Sequence, residues 1–166
     1  RDGARVRPPP LGDGGVSEPR GARTRRDRDE HYVIDLCDEI LQSRASRQHT
    51  FDWLVGDPGR TGSRRRLPVD AYWEDLALVV EFHEVQHRAP TPFFDKPDVM
   101  TVSGVSRGEQ RRLYDERRRI EVPRHGLALV EVGSDQLVMR GSRLARDGDA
   151  DRAALAAMLE PWRRRP

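Results

Sequence analysis

The chain has 166 residues, of which 36% are hydrophobic and 35% are charged, and its formal net charge is +2. Its longest apolar run, near residues 76–80, is far shorter than the ~20 residues that span a bilayer, so we expect no membrane partner. The single cysteine, Cys37, excludes a disulfide framework. Because no signal-peptide pattern is visible, we expect the protein in the cytoplasm.

Residues 1–28 contain almost no large apolar side chains and are rich in proline, glycine and arginine. Such a segment buries too little apolar surface to offset the entropy cost of ordering, so we predict a disordered basic arm. The arm is either an inert solvated leader or a contact for a polyanion. Residues 29–166 then form the folded domain.

The first half of this domain predicts one helix and three strands. Apolar residues recur at helical spacing over 29–42. Strand-like runs follow at 50–55, 67–73 and 76–84, joined by short connections that favour an antiparallel meander. The third run is apolar on both faces, which is typical of a central strand.

The second half begins with an irregular segment over 85–106, punctuated by three prolines. We then predict a helix over 107–122 that stops before Pro123, a strand over 127–132 and a final helix over 151–159. The helical crossover makes the fourth strand parallel to one of the first three. The fold class is therefore α/β, a mixed four-stranded sheet flanked by helices, with an αβββαβ core and an extra C-terminal helix.

Two acidic residues interrupt otherwise apolar strands, Asp70 in the second and Glu81 in the third. An ionised carboxylate costs several kcal/mol to bury unless it is paired or bound to metal. The hairpin between the two strands brings Asp70 and Glu81 roughly abreast, within reach of one ion. Carboxylates with waters and a substrate phosphate are typical of a Mg²⁺ site.

Three further polar residues continue the third strand. His83 shares a strand face with Glu81, and Gln86 and His87 lie just beyond the strand end. Histidine carries protons near neutral pH, so we expect His83 or His87 to position or activate water. Two alternatives remain open: buried ion pairs between the carboxylates and arginines of the helix at 107–119, and a zinc site from His83, His87 and His49.

These strand motifs resemble the PD-(D/E)XK, or restriction-endonuclease-like, nuclease superfamily, in its branch of small proteins akin to the very-short-patch-repair endonuclease. The resemblance covers residues 29–132, and the predicted order of elements equals the αβββαβ core of that superfamily. It rests on Leu67-Pro68-Val69-Asp70-Ala71-Tyr72, on Leu78-Val79-Val80-Glu81-Phe82-His83-Glu84-Val85-Gln86-His87, on Tyr114-Asp115-Glu116-Arg117-Arg118 and on Gly126-Leu127-Ala128-Leu129-Val130.

The resemblance implies roles for individual residues. Asp70 takes the place of the first metal-binding aspartate, Glu81 that of the acidic residue in the (D/E)XK element, and the Phe82 carbonyl completes the shell of a Mg²⁺ or Mn²⁺ ion. Glu39 of the first helix adds an outer contact. His83 stands where the superfamily has lysine. Gln86 and His87 match the Gln-His pair of the branch, and Asp115 and Arg118 match helix residues that face the site.

Basic residues complete the predicted site. Lys96, in the loop after the third strand, is expected to help Gln86 orient a phosphate. Arg107, Arg111 and Arg118 either form a solvated face of their helix or contact a DNA backbone, and the predicted site uses the second interpretation. We therefore expect a metal-dependent endonuclease that hydrolyses DNA phosphodiester bonds. The alternatives are a catalytically inactive nucleic-acid-binding module on the same fold, because His83 replaces lysine, and a protein-interaction domain.

Overall fold

Three helices and six strands form among the residues that the structure, a computed structural model, describes, which are 25–84 and 106–163. No helix in these two ranges is both long and apolar enough to cross a bilayer. The elements are α1 (Arg25–Leu41), β1 (Ser46–Pro58), β2 (Arg64–Trp73), β3 (Leu78–His83), α2 (Arg107–Arg124), β4 (Ala128–Gly133), β5 (Met139–Arg140), β6 (Arg143–Leu144) and α3 (Gly148–Met158).

The main sheet has four strands in the order β1-β2-β3-β4. β1 and β2 are antiparallel, as are β2 and β3, whereas β4 runs parallel to β3 after the crossover through α2. The predicted mixed α/β sheet with a C-terminal helix is therefore confirmed. β3 is central, as predicted, because Leu78, Val79 and Val80 are fully buried and require cover on both faces.

Two apolar cores lie on the two faces of the sheet. The larger core packs α1 and α3 against residues such as Val80 and Phe82 of β3. The smaller core joins Val79 of β3 and Val122 of α2 to the aromatic residues of β1. Because side chains alternate along β3, Glu81 and His83 face α2 together with Val79. The polar site therefore lies on the α2 face.

The first helix begins at Arg25, four residues earlier than predicted. Asp29 is buried and pairs with Arg146, whose Nη2 lies 2.7 Å from Asp29 Oδ1, and this contact fixes the first turns of α1 near the start of α3. Residues 25–28, predicted to belong to the disordered arm, are therefore helical. Residues 1–24 of that arm lie outside the described part of the chain.

β1, β2 and α3 each begin three or four residues earlier than predicted, and the boundaries of α2 and β3 differ for local reasons. α2 continues through Pro123 to Arg124, because a proline in the last turn removes only one intrahelical hydrogen bond before the helix ends. β3 begins at Leu78 rather than residue 76, because Glu74–Leu76 forms a 3₁₀ turn that ends on a left-handed Ala77 (φ 48°).

Candidate functional site

A polar row crosses all four strands of the main sheet on its α2 side. Glu81 of β3 pairs in register with Glu131 of β4. The neighbouring pairs Ala71–Val80 and Arg47–Ala71 place Asp70 opposite Glu81 and Gln48 opposite Asp70. One amide and three carboxylates are thus adjacent at one level of the sheet.

Asp70 and Glu81 each accept a hydrogen bond from a backbone N–H of the neighbouring strand. The Phe82 N–H donates to Asp70 Oδ2 at 2.8 Å, and the Asp70 N–H donates to Glu81 Oε1 at 3.3 Å. The two carboxylates therefore lie side by side, as the hairpin predicted. Asp70 Oδ1 also accepts a bond of 3.4 Å from Gln48 Nε2.

Glu81 is the more buried of the two acids, with 5% of its surface exposed. Burial and then the neighbouring charge of Asp70 raise the pKa of Glu81 to about 8 from an ordinary 4.5. The nearest compensating cation is Arg118, whose Nε lies 3.4 Å from Glu81 Oε1 and which lowers the pKa in part. Glu81 therefore forms the buried ion pair with an arginine of α2 that the alternative interpretation predicted. Asp70 has no arginine partner among the described residues.

The carboxylates open into a cleft of about 240 Å³ between the sheet and α2. Arg118 forms part of its wall, because its Nη2 donates to the Pro68 carbonyl at 2.8 Å and its Nη1 to Asp115 at 3.1 Å. Arg111 also lines the cleft and is exposed, so its guanidinium can reach a ligand. The lining residues are Asp70, Glu81, His83, Arg111, Tyr114, Asp115 and Arg118.

Glu131 of β4, which was not among the predicted site residues, holds His83 at the cleft. His83 Nε2 lies 3.0 Å from Glu131 Oε1, and Arg119 binds both oxygens of Glu131 at 2.9 Å. The arginine contacts lower the pKa of Glu131, so its carboxylate stays ionised. An ionised carboxylate only accepts hydrogen bonds, so His83 carries a proton on Nε2 and neutral His83 has Nδ1 free as an acceptor.

The predicted contact from Glu39 is wrong. Glu39 pairs with Arg152 of α3, and α1 and α3 pack together on the opposite face of the sheet from the cleft. The acidic residue of α1 that approaches Asp70 is Glu30, through Gln48, whose Nε2 donates to Glu30 Oε1 at 2.7 Å.

The structure does not place several of the predicted site residues. Gln86, His87 and Lys96 lie outside the described residues, as does the side chain of Arg107, the first residue of α2. Phe82 contributes its N–H to Asp70 and places its ring in the larger core.

The described residues do not support the alternative of a zinc site. His49 bonds Ser46 Oγ through Nδ1 at 2.9 Å, packs against Phe51 and Tyr72, and is not a lining residue of the cleft that holds His83. In the described ranges, no three His, Cys, Asp or Glu side chains form a group that could hold a metal ion by themselves.

The donor set of the cleft nevertheless fits a hard divalent cation. Asp70 and Glu81 supply carboxylate oxygens, and Mg²⁺ is commonly held by one or two carboxylates with waters and substrate phosphates supplying the rest. Burial and the neighbouring charge of Asp70 raise the pKa of Glu81, and a bound cation would offset both by stabilising the ionised carboxylates. Asp70 and Glu81 are therefore the residues that could bind a metal.

Comparisons with protein-family models, with curated proteins and with solved structures gave no match to this chain.

Proposed function

We propose that this chain is a metal-dependent endonuclease that hydrolyses DNA phosphodiester bonds, and that its likeness to the PD-(D/E)XK superfamily reflects membership. The observation that carries the proposal is the pair of adjacent carboxylates, Asp70 and Glu81, at a cleft that also presents His83 and Arg111. Paired acids can hold a divalent cation, an arginine can pair with phosphoryl oxygens, and a histidine can transfer a proton.

The roles follow from where each side chain lies. Asp70 and Glu81 would hold Mg²⁺ or Mn²⁺, which when bound offsets negative charge on the phosphoryl oxygens. His83 would accept a proton from water through its free Nδ1, because Glu131 occupies Nε2. Arg111, exposed on the cleft wall, would pair with a phosphate oxygen.

The test is the conversion of supercoiled plasmid to nicked or linear DNA by the full chain. We expect conversion in Mg²⁺ or Mn²⁺ and none in EDTA. The separately purified Asp70→Asn protein serves as the control for a contaminating nuclease. Conversion at equal rates by both proteins, or in EDTA, would contradict the proposal.

Glu131 offers a finer prediction within this function. We expect Glu131→Gln to lower the cleavage rate by about 10–100-fold, because residues that orient a catalytic side chain have effects of that size. The measurement is a double-mutant cycle with His83→Ala. If Glu131 acts through His83, the double variant cleaves as slowly as His83→Ala alone.

Glu116→Gln is the matched control for that cycle. Glu116 also accepts from Arg119, at 3.3 Å, but it is exposed on α2 and has no contact with His83. We expect its cleavage rate to equal that of the wild type. Fully additive losses from Glu131→Gln and His83→Ala would show that Glu131 does not act through the histidine.

The second candidate function is an inactive DNA-binding module on the same fold. The observation that favours it is Arg118, whose guanidinium already lies 3.4 Å from Glu81 and partly neutralises it. This candidate predicts that the wild type binds DNA but leaves plasmid intact in Mg²⁺ and Mn²⁺. The plasmid assay and a binding titration together separate the two functions.

A further inference from the structure

The outer ends of β1 and β2 form a hairpin that extends beyond the rest of the described sheet. The two strands pair as far as Pro58 and Arg64, whereas the pairing of β2 with β3 covers Ala71–Trp73. We call residues 57–66 the arginine hairpin. Within the described ranges, β1 is thus the only strand partner of β2 along residues 64–69.

The arginine hairpin has a strongly positive tip. Residues 60–66 are all exposed, and they contain four arginines and no acidic residue. Arg66 pairs with Asp52 at 2.6 Å. Arg60, Arg64 and Arg65 have no acidic partner among the described residues. Three exposed charges without a described counter-charge mark a surface for a polyanion.

The hairpin is joined firmly to the cleft through α2. Arg117 donates to the Val55 carbonyl at 2.8 Å and to Asp57 Oδ1 at 2.7 Å. Tyr114, which lines the cleft, accepts from the Asp57 N–H at 3.3 Å and lies so close to Gly56 that a Cβ there would be 3.0 Å from its hydroxyl. The base of the hairpin is therefore fixed at the wall of the cleft.

Strand geometry gives the spacing between the two surfaces. At about 3.3 Å per residue, Arg64 lies roughly 20 Å along β2 from Asp70. A DNA strand carries one phosphate per about 3.4 Å of helix axis, so this span corresponds to about six base pairs. The distance suits an extended polyanion that reaches both the hairpin and the cleft.

We propose that the arginine hairpin binds the phosphate backbone of a DNA duplex about six base pairs from the cleft, through Arg60, Arg64 and Arg65. The proposal rests on the proposed nuclease function for its choice of polyanion. It adds a binding surface on β1 and β2, distinct from the arginines of α2, and it makes the contact independent of base sequence because phosphates carry no sequence information.

The test measures binding rather than cleavage. A duplex that is long enough to cover both surfaces is titrated in EDTA with the Asp70→Asn protein and with the same protein carrying Arg64→Gln and Arg65→Gln. We expect the slope of log affinity against log salt to become shallower by about two, with at least about tenfold weaker binding near 0.1 M salt. The loss should be the same for duplexes of unrelated sequence.

The matched control is Arg140→Gln with Arg143→Gln, which removes equal charge from the exposed β5–β6 hairpin. Leu144 of that hairpin packs against the core on the sheet face opposite the cleft. The inference would be overturned by an unchanged slope in the Arg64/Arg65 variant or by equal losses of DNA affinity in both pairs of substitutions. Tighter binding to phosphatidylserine vesicles than to DNA would also overturn it. Because no cleavage is measured, those results leave the plasmid assay to decide the nuclease function.

Discussion

Replacement of Asp70 by Asn is expected to lower the rate of plasmid cleavage in Mg²⁺ at least about 1,000-fold, a barrier increase of about 4 kcal/mol. The substitution removes one of the two adjacent negative charges that would attract the cation. It should leave the fold intact, because an amide oxygen in the same place still accepts the 2.8 Å bond from the Phe82 N–H.

The melting temperature gives an independent reading of the same change. In EDTA, Asp70→Asn should melt at or above the wild-type temperature, because the charge that repels Glu81 is gone. Added Mg²⁺ should raise the melting temperature of the wild type and not that of the variant. Wild-type cleavage by Asp70→Asn, or an equal Mg²⁺ shift in both proteins, would refute the assignment.

Asp149→Asn is the matched control for both measurements. Asp149 is exposed in the first turn of α3, and that helix packs on the sheet face opposite the cleft. The same carboxylate-to-amide change at this position should leave the cleavage rate and the Mg²⁺ shift at wild-type values. A loss of activity in Asp149→Asn would indicate that cleavage depends on the overall charge of the protein rather than on a metal site at Asp70.

The adjacency of Asp70 and Glu81 was predictable because it depends on local features only. A short connection fixes the register of a hairpin, and a carboxylate within an apolar strand is costly enough to be noticed. Glu131 is also a carboxylate within an apolar strand, and the same rule applied to β4 would have marked it. Its position beside Glu81 depends on the parallel register of β3 and β4, which a helical crossover leaves undefined.

The residues of α1 and β1 show what sequence patterns do not carry. Glu39 and Glu30 are both acids of α1, and only the packing of that helix decides which of them approaches Asp70. Gln48 reaches Asp70 with a left-handed backbone (φ 49°), a conformation that glutamine seldom adopts and that no spacing rule anticipates. Such contacts depend on tertiary structure.

The second large effect concerns Glu81 and the pH dependence of stability in EDTA. The pKa of Glu81 is raised to about 8 in the folded protein, against 4.5 for an ordinary glutamate, by burial and by Asp70. Between these values the folded state holds a proton that the unfolded state has lost. Stability therefore falls as pH rises through this window, by on the order of 1 kcal/mol per pH unit.

Urea unfolding of the wild type and of Glu81→Gln between pH 5 and pH 8 isolates this contribution, because histidines and other acids cancel in the difference. Glutamine keeps the shape of the protonated acid and does not titrate, so the free energy of unfolding of Glu81→Gln should fall less steeply with pH.

Glu116→Gln, a change at an exposed residue, should follow the wild type. Mg²⁺ should flatten the wild-type curve, because the cation stabilises the ionised pair that burial penalises. Parallel curves for the wild type and Glu81→Gln would mean that Glu81 ionises normally, and the buried carboxylate pair would then carry no repulsion for a metal to relieve.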